Sequence, residues 1–207
     1  MVKELVYIER KRKGGEVAFL YDMNFGFSKE WAFDLCKKIV EAKLQVIWGC
    51  ELRVDNLLDK EFLEEICKAR CRSVFVGIES LDQHALSGVD KGYSVEELDE
   101  ALRNAANIGI NVDTTVMIGM PDDTTYSILH TTDKIIKLFQ DELLKLVHYF
   151  LCIPWPGTEI GDHPEKYGLK IVCRNYHNFI TAPKRTDCIH EILERGRSLF
   201  VMGRGCR

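Results

Sequence analysis

No apolar run in this sequence approaches membrane-spanning length; the longest, from Val147 to Ile153, is the size of a single strand. The start, Met1-Val2-Lys3-Glu4, lacks the apolar stretch of a secretory signal. An excess of positive charge is missing too. Lys and Arg number 28 against 32 Asp and Glu, a net charge of −4, so there is no electrostatic case for nucleic acid as a partner. Low-complexity tracts and short internal repeats are absent. So are a G-x-G-x-x-G turn, a Walker A loop, a G-x-S-x-G elbow and an H-E-x-x-H helix. These absences leave a cytoplasmic domain acting on a small molecule as the expectation, with no nucleic acid and no membrane.

The 207 residues are 46% hydrophobic, enough for one domain with a core and room for an appendage. Eight cysteines, at 36, 50, 67, 71, 152, 173, 188 and 206, fall mostly inside apolar runs. In a chain of this size without a signal they read as buried free thiols rather than a disulfide framework.

Strand and helix signals alternate along the chain. A charged segment at 1–13 reads as a helix, broken by Gly14-Gly15, and Val17 to Tyr21 as a strand. Ser28 should cap a helix with the stripe Trp31, Ala32, Leu35, Cys36, Ile39, Val40. Leu44 to Cys50 is the next strand, Asp59 opens a helix, and Ser73 to Ile78 is a strand with a short helix near 81–87 behind it. Ser94-x-x-Glu97 spells a capping box whose helix should stop at Gly109. Asn111 to Ile118 is a strand, about 123–140 a helix, and Leu146 to Cys152 a fifth strand. Several strands are continuously apolar, which predicts burial on both faces and a parallel α/β sheet or barrel. Past Pro154 the pattern weakens to turns, a short strand at Leu169–Val172 and a helix near 186–196.

Ligands of parallel α/β folds sit beyond the C-terminal strand ends. Here those ends read Tyr21-Asp22-Met23-Asn24-Phe25, then Trp48 to Asp55 (WGCELRVD), then Gly77-Ile78-Glu79-Ser80, then Ile118-Gly119-Met120-Pro121-Asp122-Asp123-Thr124, and Pro154-Trp155-Pro156-Gly157-Thr158. In order and spacing these five strings resemble the strand ends of the radical S-adenosylmethionine (SAM) superfamily, in the subgroup whose members often carry a cobalamin-binding domain. The resemblance implies a partial TIM-like (β/α) barrel of parallel strands over 1–160, entered after its first strand, with a C-terminal extension at 161–207.

The resemblance also implies roles. Glu79 would take the SAM ribose hydroxyls, with Ser80 beside it. Ile118, Gly119 and Met120 would meet the adenine, and Arg53 or Lys91 would face the methionine carboxylate. Asp22 and Asn24 would lie near the methionine amino end. The implied chemistry is reductive cleavage of SAM to a 5′-deoxyadenosyl radical, which abstracts hydrogen from an unidentified substrate.

One departure is large. The superfamily holds its [4Fe-4S] cluster on C-x3-C-x2-C after the first strand, and these residues contain no such string. That strand and loop would precede the helix at 1–13, so the expectation is a truncated barrel whose partner is a small-molecule substrate or the missing N-terminal segment. Cys67-x3-Cys71 has the first spacing but Val74 in the third place, and it straddles a helix end and a strand start. Gly14-Gly15-Glu16 spells a superfamily motif for the SAM amino group, but it precedes its strand and reads as a turn.

Simpler readings stand beside each assignment. Glu79 can be a first-turn acid ahead of a Ser80-x-x-Gln83 capping box, Arg53 can pair with Asp55 or Glu51, and Asp22 and Asn24 can shape a turn. Cys173, His177, Cys188 and His190 are zinc-type ligands at a spacing that is not a standard one. Three functions follow: part of a radical SAM enzyme, a cluster-free SAM- or nucleotide-binding homologue, or an interaction module using an exposed strand edge.

Overall fold

A computed structural model describes residues 1–11, 17–87 and 92–169. Gly14-Gly15, Lys91, the Cys173–His190 group and the strand and helix expected near 169–172 and 186–196 lie outside the described residues, apart from Leu169 itself. A parallel sheet in chain order carries the fold: β1 (Val17–Leu20), β2 (Ile47–Leu52), β3 (Cys71–Glu79), β4 (Asn111–Ile118) and β5 (Leu146–Leu151). The helices are α1 (Val2–Lys11), α2 (Lys29–Glu41), α3 (Val54–Leu58), α4 (Lys60–Lys68), α5 (Gln83–Ser87), α6 (Val95–Ile108), α7 (Thr125–Gln140) and α8 (Glu159–Asp162). This is the partial TIM-like α/β fold expected. None of the described helices is long and apolar enough to cross a membrane.

The chain divides into two compact units. The first comprises Met1–Ile78, Gly92–Val116 and Lys134–His148; the second comprises Glu79–Lys91, Met117–Asp133 and Tyr149–Arg207.

In the first unit, parallel pairing matches Ala18 with Trp48 and Leu20 with Cys50, then Gly49 with Ser73 and Glu51 with Phe75. Trp48 anchors the buried face. It is fully enclosed, its indole N–H donates to the Ala69 carbonyl at 2.7 Å, and its ring lies 5.2 Å from Phe25. From α2, Ala32, Leu35, Cys36 and Ile39 are buried, whereas Trp31 and Val40, at the margins of the expected stripe, are exposed. Ser28 caps α2 through the Trp31 N–H, and Ser94 and Glu97 close the reciprocal box on α6, which ends at Gly109 in the left-handed region.

The expectation of strands buried on both faces holds in the middle of β2, where Trp48, Gly49 and Cys50 are all buried, and of β4, where Thr114, Thr115 and Val116 are, but it is corrected for β3 and β5. In β3, Val74, Val76 and Ile78 are fully buried while Ser73, Phe75 and Gly77 are only half-buried, and most of β5 is exposed. In β3 and β5 one face is therefore better covered than the other. The cysteines at 36, 50 and 71 are buried and those at 67 and 152 half-buried, all five as free thiols.

Gly49 is required by close approach rather than by a turn. A Cβ there would lie 2.7 Å from the Ser73 carbonyl oxygen and 3.1 Å from the Phe19 ring. Gly49→Ala is expected to destabilise the protein by about 1–3 kcal/mol through overpacking, read as a lower urea midpoint at unchanged m-value.

Candidate functional site

In the second unit, the end of β3 turns sharply at Glu79, whose φ is +64°. Four described residues other than glycine have positive φ. Lys43, Arg70 and Glu142 each follow a helix, where a left-handed residue closes the last turn. Glu79 instead ends a strand. For a residue with a Cβ the conformation costs roughly 1–2 kcal/mol, and strain of this kind outside a helix cap marks functional positions. The side chain is half-buried.

Ser80, next in the chain, is buried and committed to the fold. Its Oγ lies 3.2 Å from Thr131 Oγ1 and accepts from the Asp82 N–H at 3.1 Å. The helix that follows starts at Gln83, and its cap is Asp82, whose carboxylate accepts from the N–H groups of His84 and Ala85, both at 3.1 Å. The Ser80-x-x-Gln83 capping box is therefore corrected. Asp82 sits directly ahead of the helix, and Ser80 supports the preceding turn instead.

At the end of β4, Gly119 has φ +85°, the left-handed conformation glycine adopts freely. Asp123 closes the loop behind it: one carboxylate oxygen accepts from the N–H of Gly119 at 2.8 Å and of Met120 at 3.0 Å, and Ser127 Oγ donates to the other at 3.3 Å. Met120 is buried, and the Ile118 carbonyl accepts from the Cys152 N–H at 2.8 Å. The N–H groups of Gly119 and Met120 thus serve Asp123. Burial pushes the Asp123 carboxyl's pKa up against the pull of those N–H donors. Burial likewise raises the Cys152 thiol, with the charges of Asp123 and Glu79 adding to the effect. Asp123, Ser127, Thr131 and Cys152 were not singled out by the sequence reading. Asp123 lay inside the quoted Met120–Thr124 string, but its carboxylate's direction was not readable there.

The remaining candidates belong to the first unit. Arg53 precedes α3, and its guanidinium Nε donates to Asp55 at 3.2 Å on the surface, the simpler of its two readings. Asp22 accepts from the Asn24 N–H at 3.4 Å, and Asn24 accepts from Gly26 N–H at 3.2 Å to start a short 3-10 helix, Phe25–Phe27. Both shape a turn. Together with Phe25, Phe27, Ser28 and Trp31 they line a shallow depression of about 330 Å³.

Cys67 and Cys71 do not form a cluster site. Cys67 Sγ donates to the Ile108 carbonyl at 3.4 Å, and Cys71 Sγ to the Ser73 carbonyl at 3.6 Å inside the core. Among the described residues no group of three His, Cys, Asp or Glu side chains is arranged to hold a metal ion.

A family model described as the radical SAM superfamily matches residues 1–135. An uncharacterized methyltransferase of Pyrococcus horikoshii is 24% identical over 181 residues, 87% of this chain and 38% of the relative. The anaerobic magnesium-protoporphyrin IX monomethyl ester cyclase of Rubrivivax gelatinosus is 25% identical over 174 residues, 81% of this chain and 30% of the relative. This chain therefore spans about a third of these relatives' length. Among solved structures, the radical SAM methyltransferase TsrM of Kitasatospora setae, with cobalamin and a [4Fe-4S] cluster bound, superposes with a TM-score of 0.65 at 21% identity, covering 82% of this chain and 34% of TsrM. The cobalamin-dependent enzyme OxsB gives 0.56 at 19% identity, covering 81% of this chain and 24% of OxsB. At these identities the structural likeness is one of fold.

The Asp123 clasp has a testable signature. Asp123→Ala is expected to destabilise by about 2–3 kcal/mol, since two N–H donors lose a charged acceptor. Asp123→Asn keeps an acceptor and is expected to be at least as stable as the parent at pH 7. A raised folded pKa means that the charged carboxylate is penalised above that pKa and not below the unfolded value of 3.8. Any advantage of the Asn variant should therefore shrink as pH falls toward 3.8 and vanish below it, as read by urea unfolding across pH.

Proposed function

Because this chain belongs to the radical SAM superfamily, we propose that its described part is SAM-holding framework, with Glu79 accepting the ribose hydroxyls and the backbone at Ile118–Met120 lying along the adenine. The observation that carries the reading is the strain at Glu79: a left-handed carboxylate residue ending a strand, away from any helix cap. A carboxylate accepts two hydroxyl donors well. Gly119, with its positive φ and no Cβ, allows the close approach a flat ring needs. Ser80 supports this turn from behind through Thr131.

In the superfamily the chemistry supplied is reductive cleavage of SAM to a radical that takes hydrogen from a small-molecule substrate. The names of the relatives, methyltransferases and a cyclase, point to methyl transfer or ring closure as the classes to examine first. Cobalamin is present in the TsrM and OxsB structures, and the reading assigns no residue of this chain to it. The sequence holds no C-x3-C-x2-C string and the described residues gather no thiolates that fit a [4Fe-4S] cluster, so no step is assigned through one. That misfit favours a second reading, a SAM- or nucleotide-binding homologue that performs no radical chemistry with these residues alone.

Calorimetric titration with SAM is expected to show binding that weakens about 10- to 100-fold in Glu79→Gln, the effect of removing a charged acceptor. Glu79→Gly is expected to lose binding similarly while its unfolding free energy stays within about 1 kcal/mol of the parent, because glycine relieves the strain. No binding heat, or unchanged affinity in both variants, removes the reading. Separately, anaerobic reconstitution of these 207 residues with iron and sulfide is expected to give no [4Fe-4S] absorption or reduced-state EPR signal. A stable cluster would overturn the cluster misfit.

A further inference from the structure

The first unit holds a second group of polar and aromatic side chains, on the half-covered face of the sheet. Val74 and Val76 of β3 point into the buried core, so Ser73 and Phe75 stand on the other face. Ser73 donates a hydrogen bond to the carboxylate of Asp113 on the neighbouring strand β4. His148, on β5, is close enough for its charge to act on the same carboxylate. Its ring centroid lies 5.8 Å from that of Phe75.

That last contact is informative. Phe75 and His148 stand on strands separated by β4, and neighbouring strands lie about 4.8 Å apart. Two rings at 5.8 Å therefore lean toward each other across β4, the strand that carries Asp113. The β2 register places Glu51 directly beside Phe75.

We propose that this cluster binds a ligand carrying an ammonium group next to a flat apolar portion, the ammonium on the Asp113 carboxylate and the flat portion against Phe75. A carboxylate has about four acceptor positions, of which the Ser73 hydroxyl fills one. Asp113 is half-buried, and a carboxylate removed from water is disfavoured unless a cation or further donors accompany it. Burial pushes its pKa up, outweighing the opposing effects of the His148 charge and the Ser73 hydroxyl. The Phe75 ring face offers the complementary attraction to a cation, and Glu51 keeps the surroundings acidic.

The test uses three isosteric probes, benzylammonium, benzyl alcohol and benzoate, each titrated into the whole chain at about pH 8, above the usual range of imidazole titration. The His148 imidazole signal, assigned by its loss in His148→Gln, is followed by NMR. The expected result is a saturable shift with benzylammonium, at least about tenfold weaker with benzyl alcohol and in Asp113→Asn. Ser73→Ala and Phe75→Leu should weaken it by smaller factors, and they keep the test decisive should Asp113→Asn fail to fold. Equal affinity for alcohol and ammonium, preference for benzoate, an unaffected Asp113→Asn, or no saturable shift would each overturn the proposal. Glu79→Gln should leave the benzylammonium titration unchanged, so this site and the SAM reading stand or fall separately.

Discussion

Parallel strands cannot be joined by a tight turn, so each step from β1 to β2 to β3 runs through crossover helices that pack back onto the sheet. Most of the first unit's architecture depends on that constraint. It buries Trp48, Cys50, Val74 and Val76 beneath α2 and α4, and it leaves the alternate side chains, Ser73 and Phe75 among them, on a face with little cover. Half-burial is what permits Ser73 and Asp113 to be polar at all, and His148 beside them is exposed. A second helical layer on that side would penalise an unpaired Asp113 carboxylate severely.

The strand ends of the second unit hold two carboxylates in opposite situations. Asp123 has its donors in place, two backbone N–H groups and the Ser127 hydroxyl, and it works as an internal clasp. Glu79 sits on backbone that its own Cβ disfavours. The two acids thus differ in their backbone: Asp123 holds its loop through the bonds named above, whereas Glu79 stands on a left-handed strand end, the feature on which its proposed ligand role rests.

Much of this was legible in the sequence where local chemistry decides structure. Ser94, Glu97 and Gly109 bracketed α6, and Asn111 and Ile118 bracketed β4, because caps and apolar alternation act within a few residues. The strand expected at Leu44–Cys50 lies instead at Ile47–Leu52. Leu44 and Val46 are apolar because they are buried, not because they pair in the sheet. α3 has five residues, too few to display a helical period. At Ser80 the capping-box spelling was present, and Asp82 won the cap by standing nearer the helix. The five strand-end strings located Glu79 and Gly119 but not the sign of φ at Glu79, which is set by the path of the whole turn. The partnership of Ser73, Asp113 and His148 was invisible because register, not spacing along the chain, brings them together.

Left-handed backbone at a carboxylate residue ties the quality of the site to a standing weakness of the fold. The Glu79 backbone is set by the fold itself, so if the proposed ligand binds there, the entropy of ordering that backbone is met during folding and not during association. Natural drift toward greater robustness would therefore act first against position 79, where glycine or asparagine is the easier occupant. A glutamate that persists there among descendants of this chain would record continued selection for what the side chain holds.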